Sequence, residues 1–229
     1  MVYDQIYSLG QWCATAIYLK KFGLRSGSGP FDWLGYGVPL KTYLDIITAG
    51  FGNFPDVASL EFIRESVAEG KRVFRDRPGF SYPHDFRIGG DFAAECRVLS
   101  EKTCRRARRM LEALADKKVL LVHWHGAEKK YDRGEVWSAL TSLRCHFHND
   151  GIDLLVLENG EGDGVRFEPF GDGLTFAVGD FYAEGKYDPV LGNRSAVDAV
   201  FSSIKMRGRW RNFLHNRITS LHKRIKRLV

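Results

Sequence analysis

Four residues, Gly10-Gln-Trp-Cys13, end an apolar climb from Gln5 to Leu9 and run into a helix-like segment, Ala14 to Phe22, closed by Gly23. A cysteine at such a junction has a definite chemical option. Thiolate is the nucleophilic form of the side chain, and the unpaired N–H groups of a helix N-terminus favour negative charge. Strand-to-helix turns are also where hydrolases present a nucleophile. The same position suits a small buried residue, because unpaired cysteines are among the most buried side chains. Cys13 therefore needs a base, and a group to orient that base, before it reads as reactive. His84, in Ser81-Tyr-Pro-His-Asp-Phe86, is the candidate base, and Asp85 and Asp32 are the candidate orienting acids.

Other residue groups offer weaker chemistry. His123-Trp-His125 follows an apolar run, and i, i+2 spacing on extended chain places both rings on one face. No third ligand is set by a recognised motif, so no metal and no cofactor is expected. Contact with a substrate is the better reading for His123 and His125, because carboxyl ends of parallel strands line ligand crevices. Arg105, Arg108 and Arg109 share one helix face and could grip a phosphate or carboxylate, or simply be solvated. Gly160-Glu-Gly-Asp-Gly164 has the glycines of a phosphate loop, but two acids stand where a lysine and a hydroxyl are needed.

Ser8-Leu-Gly-x-x-Cys13, Leu24-Arg25, Gly29-Pro-Phe-Asp-Trp33 and His84-Asp-Phe86, in that order, resemble a bacterial domain-of-unknown-function family, number 1796, described as papain-like cysteine peptidases. The resemblance implies Cys13 as nucleophile and His84 as base, with Asp32 or Asp85 as orienting acid. Gly10, Gln11, Trp12, Arg25 and Trp33, in or beside these motifs, are read as candidate substrate-binding residues, as are Arg105, Arg109, His123 and His125 from their own positions. Papain itself differs. Its signature has the tryptophan or tyrosine after the cysteine and its histidine far downstream, whereas here Trp12 precedes Cys13 and His84 follows within about seventy residues.

These residues must be positioned by an α/β framework. Lys118 to His123, Asp153 to Leu157 and Leu174 to Val178 are continuous apolar runs, with a helical stretch from Glu135 to His146 between the first two. That alternation predicts a mainly parallel sheet, three layers deep, with helices on both faces. Further helices are expected at Pro39–Ala49, Ser59–Glu69 and Glu101–Ala115, and irregular chain at Val73–Phe86. Residues 1–204 read as one α/β domain with a helical insertion at about 36–116.

The net charge of +6 is uneven: nine of the 34 Lys and Arg residues lie from Lys205 onward, where there is no Asp or Glu. The remaining 25 basic residues face 28 acidic ones, which argues against a general nucleic-acid-binding fold. In the tail, Trp210, Phe213, Leu214, Ile218, Leu221, Ile225 and Leu228 recur at helical spacing among basic residues. Residues 205–229 thus read as a basic amphipathic helix that either docks on the domain or meets an anionic membrane surface. The four cysteines lack paired spacing and the N-terminus lacks the pattern of a secretory signal, so reduced thiols and a cytoplasmic protein, peripheral to the inner membrane if the tail binds lipid, are expected.

Three functions fit these readings. The first is a thiol hydrolase or acyl transferase acting on a peptide, small-molecule or glycan substrate. The second is a glycan-handling transferase using a nucleotide-sugar or other phosphorylated donor in envelope polysaccharide assembly, with Cys13 structural. The third is a non-catalytic binding domain.

Overall fold

A computed structural model describes residues 2–10, 13–35, 38–124, 131–162, 164–183, 185–208 and 210. The chain opens with β1 (Val2–Tyr3) and β2 (Gln5–Ser8), then α1 (Ala14–Lys21) and α2 (Leu40–Thr48). A hairpin-linked trio follows: β3 (Glu61–Ser66), β4 (Lys71–Arg75) and β5 (Ser81–Arg87). The long α3 (Phe92–Asp116) leads into β6 (Val119–Trp124), α4 (Arg133–Phe147), β7 (Ile152–Asn159), β8 (Val165–Pro169) and β9 (Leu174–Gly179). α5 (Arg194–Ser203) and β10 (Lys205–Met206) close the described chain.

The principal sheet has strand order β2-β6-β7-β9-β8, with β2, β6, β7 and β9 mutually parallel and β8 antiparallel at the edge. Every residue of β6 is buried, as a strand covered on both faces requires. Its alternation divides two cores. Val119 and Leu121 join Met110 and Leu114 of α3 and Leu140 and Leu143 of α4. Leu120, Val122 and Trp124 join Tyr18 and Leu19 of α1 and Val200 and Phe201 of α5. All four parallel strands therefore point their carboxyl ends the same way, and β2 delivers Cys13 to that end of the sheet.

The second sheet, order β3-β4-β5, is antiparallel and lies within the segment between β2 and β6. It corrects two expectations. The stretch expected as a helix at Ser59–Glu69 is mostly the edge strand β3, whose residues Glu61 to Glu65 are exposed, so a helix there would have had no core to bury an apolar stripe against. The stretch expected to be irregular, Val73–Phe86, is largely β4 and β5. Pro78 and Gly79 belong to the turn between them: Asp76 Oδ1 accepts from the N–H groups of Gly79 (3.1 Å) and Phe80 (2.8 Å), and its Oδ2 accepts from the Tyr82 hydroxyl (2.6 Å). Pro83 is tolerated because β5 is itself an edge strand. The insertion at about 36–116 is accordingly mixed rather than helical.

Charged contacts fasten this small sheet to α3. Glu95 accepts from Arg72 Nη2 (3.3 Å) and Arg87 Nε (3.0 Å), and Lys102 Nζ pairs with Asp85. The helix begins at Asp91, which caps the N–H of Ala94, and it buries Leu99, Thr103, Ala107, Met110 and Leu114 at helical spacing. At the far end of the domain, β10 pairs in parallel with β1, so the tail's first residues are strand rather than the expected helix. Most of that expected helix lies outside the described residues. β8, α5, β1 and β10 are elements that the apolar periodicity does not reveal. No described helix is long and apolar enough to cross a membrane.

Candidate functional site

Cys13 occupies the N-cap position of α1, with no side-chain capping bond of its own. The turn that brings it there is tightly held. Gly10 N donates to Ser8 Oγ (3.2 Å), Thr15 Oγ1 donates to Gly10 O (3.3 Å), and His123 Nδ1 donates to Leu9 O (2.9 Å). Gly10 has φ of 72°, and a Cβ there would stand 2.5 Å from the Tyr43 hydroxyl oxygen. Only glycine meets both conditions without displacement. His123, expected to meet substrate, is fully buried and supports this turn from beneath.

His84 arrives from the other sheet. Arg72 faces Phe86 and Phe74 faces Tyr82, so β5 places four steps opposite two on β4 and the register shifts around His84. Such a bulge re-aims a side chain. Tyr82 and Phe86 are buried and His84 is exposed, and its Nε2 stands 3.5 Å from Cys13 Sγ. The Trp33 ring lies edge-on to the imidazole, centroids 6.4 Å apart, from a backbone with φ of 72°. That left-handed conformation is costly for a bulky residue and is sustained by its surroundings. The neighbouring Phe31 supplies the anchor, fully buried among Tyr43, Phe51, Phe54 and Phe80.

The two acids read as orienting groups have other partners. Asp85 pairs with Lys102. Asp32 is buried, accepts from Gly29 N (2.9 Å) and pairs with Arg25 Nη2 (3.0 Å). Among the described residues neither carboxylate is hydrogen-bonded to His84. Burial pushes the Asp32 carboxyl above its ordinary range, against the pull of Arg25, the Gly29 N–H and Arg106. Arg25 also donates to Ala16 O (3.1 Å), Gly27 O (3.2 Å) and Ser28 Oγ (2.6 Å), so the pair binds the glycine-serine loop to α1. Its role in the structure is to hold a wall of the site in place.

The helix start does not make Cys13 acidic. Burial pushes its thiol up to about 11, with the carboxylates of Glu69 and Asp32 adding in the same direction. Desolvation of the thiolate outweighs the favourable field of the helix N-terminus. The resting Cys13 side chain is therefore the neutral thiol.

On α3, Arg105 and Arg108 are exposed. Arg109 Nη2 donates to Ser28 O (3.0 Å) and Arg106 Nη1 to Gly29 O (3.4 Å). The face turned to the site is thus Lys102, Arg106 and Arg109, at i, i+4 and i+7, and that spacing was available in the sequence. Tyr43 and Glu69 had no local signal, because their relation to Cys13 arises only through tertiary packing. Gln11, Trp12 and His125 lie outside the described residues. Among the described residues no group of three or more His, Cys, Asp or Glu side chains is placed to hold a metal ion.

A family model described as "Putative papain-like cysteine peptidase (DUF1796)" matches residues 4–157. The chain belongs to that family. The match spans β2, the Cys13 turn, the small sheet with His84, and the strands β6 and most of β7. The chain is also similar to "Uncharacterized protein R408" of Acanthamoeba polyphaga mimivirus, 31% identical over 93 residues, covering 34% of this chain and 41% of the relative. It thus spans less than half the length of that relative. No solved structure matches the chain.

Proposed function

We propose that the protein is a thiol hydrolase or acyl transferase in which Cys13 is the nucleophile and His84 the general base. The observation that carries the reading is the 3.5 Å approach of Sγ and Nε2 from separate sheets, within the looser range seen for catalytic pairs without substrate. In the tautomer protonated at Nδ1, Nε2 accepts the thiol proton as sulfur attacks an acyl carbon. The C–S bond forms, the leaving group departs with the proton held by His84, and a thioester remains. Water, or an amine or hydroxyl acceptor, then attacks the thioester, giving its proton to His84 and returning the thiol. Backbone N–H groups of the first turn of α1, which a helix leaves unpaired and which Cys13 precedes, would meet the developing oxyanion. Because burial keeps the thiol neutral, proton transfer accompanies the attack. Membership of a family described as cysteine peptidases supports an amide or peptide as the acyl donor.

Incubation of the full chain with p-nitrophenyl acetate tests this. Mass spectrometry is expected to find an acetyl adduct on Cys13, lost in Cys13→Ala and formed at least 100-fold more slowly in His84→Ala. Equal acylation of the exposed Cys104 and Cys145, with no effect of His84→Ala, would overturn it.

A further inference from the structure

A cleft of about 700 Å³ opens at the carboxyl ends of β7 and β9, on the same end of the sheet as Cys13. This is where open α/β sheets bind ligands, and the volume suits a small molecule. Six charged residues define its chemistry: Arg133, Glu158, Glu161, Arg166, Glu168 and Asp180. We propose that it is a binding subsite for a neutral, hydroxyl-rich ligand, a mono- or disaccharide unit.

Charge arrangement decides the ligand class. Four carboxylates against two guanidiniums disfavour phosphate. A cation is poorly served as well, because three of the four carboxylates, Glu158, Glu168 and Asp180, already have cationic partners. Arg133 bridges Glu158 (3.3 Å) and Glu168 (2.8 Å), Arg166 stands 3.8 Å from Glu168, and Lys186 binds Asp180 at 2.6 Å. A charged ligand held by Glu158, Glu168, Asp180 or Arg133 would have to break one of these pairs. Hydroxyl groups need not, because each paired carboxylate keeps lone pairs and each guanidinium keeps N–H donors. Glu158 matters most: it is 5% exposed, yet it lines the cleft. A buried carboxylate fixed by one arginine is a rigid acceptor, and Arg133 is itself stacked on Phe176, its guanidinium 4.4 Å from the ring centroid. Tyr182, at the cleft wall, adds an aromatic face. Asn159 closes the floor, its side-chain amide exchanging two hydrogen bonds with the Tyr182 backbone.

The subsite does not depend on the thiol chemistry. Strands lie about 4.8 Å apart, so the cleft stands ~10–15 Å from Cys13 across β6. An acyl-bearing glycan of that reach would engage both.

The test measures binding to the full chain, both wild type and Cys13→Ala, by saturation-transfer NMR and titration calorimetry. The probes are glucose, galactose, mannose, N-acetylglucosamine, cellobiose, lactose and chitobiose, with inorganic phosphate and putrescine as charged controls. At least one saccharide is expected to bind both proteins alike, Glu158→Gln to weaken it tenfold or more, and Glu161→Gln on the exposed rim to weaken it threefold or more. Should Glu158→Gln fail to fold, the Glu161→Gln comparison decides. Absence of saccharide binding, binding unchanged by the rim variant, or tighter binding of phosphate or putrescine would overturn the assignment, whatever the outcome of acylation at Cys13.

Discussion

Cys13 Sγ and His84 Nε2 stand 3.5 Å apart across 71 residues of chain, one at the N-cap of α1 and the other in the bulge of an antiparallel strand. Their meeting depends on how firmly α3 clamps the small sheet. The clamp is ionic through Glu95 and Lys102 and apolar through Phe92, whose ring packs on Phe74 and Phe86, and the opposite wall is held by Arg25 and Asp32.

The first expectation concerns the thiol. With its ionisation pushed up to about 11 by burial, alkylation of Cys13 by iodoacetamide is expected to rise with pH to a midpoint near 11. The sign follows for stability as well. The folded state holds this proton more tightly than the unfolded chain, whose thiol ionises near 9.0, so this group's contribution is present below pH 9 and is lost as pH rises through the folded value. An alkylation midpoint at or below 7 would show a stabilised thiolate and refute this account.

The clamp gives a second test. Lys102→Met leaves the Asp85 carboxylate without its ion partner, at a cost of about 2 kcal/mol, measured by urea unfolding. Acylation of Cys13 is expected to slow as well, because Asp85 adjoins His84. The double variant Lys102→Met with Asp85→Leu should recover much of the stability. If it is no more stable than Lys102→Met alone, the pair is not what anchors β5.

At the turn, Gly10→Ala introduces a Cβ 2.5 Å from the Tyr43 hydroxyl, at φ of 72°. A loss of about 1–3 kcal/mol is expected, with weaker acylation because Cys13 shifts. The buried Tyr43 hydroxyl has no hydrogen-bond partner among the described residues, so Tyr43→Phe should be neutral or slightly stabilising by the same measurement. A loss above about 1.5 kcal/mol in Tyr43→Phe would mean that its hydroxyl is bonded.

The opposite wall tests an ion pair and an aromatic anchor separately. Arg25→Met strands a buried Asp32 carboxylate, and a cost of about 3–5 kcal/mol is expected. Arg25→Met/Asp32→Leu should be milder. Phe31→Ala opens a cavity among four aromatic rings, with an expected loss of about 3–5 kcal/mol. Unfolding curves indistinguishable from wild type in either single variant would contradict the packing described.

Much of the framework is legible from local pattern. The continuous apolar runs at β6, β7 and β9 announce buried parallel strands, and α1, α2 and α4 follow their periodicity closely, whereas α3 begins at Phe92, nine residues before the expected Glu101. β3 is not legible locally, because Phe62, Ile63 and Val67 admit helical spacing and only pairing with β4 makes the stretch a strand. β4 and β5 were hidden by Pro78, Gly79 and Pro83, residues that mark a hairpin turn and an edge as readily as a loop. Asp85 adjoins His84 and Asp32 lies in the Gly29–Trp33 motif, and neither position tells which partner its carboxylate takes. Ion pairing instead gives Asp85 to Lys102 of α3 and Asp32 to Arg25 of its own loop.

By itself, then, the sequence determined the parallel α/β half, the strand-to-helix position of Cys13, and the motif set that joins it to His84. Residue type and local periodicity are enough for these, because a buried strand or an amphipathic helix needs only its own neighbours to declare itself. The tertiary structure decided which partners each charge takes, that the histidine stands in a bulge against the sulfur, and that the thiol is neutral. Those outcomes rest on desolvation and on contacts between residues far apart in the chain, quantities that exist only once the two sheets are packed together.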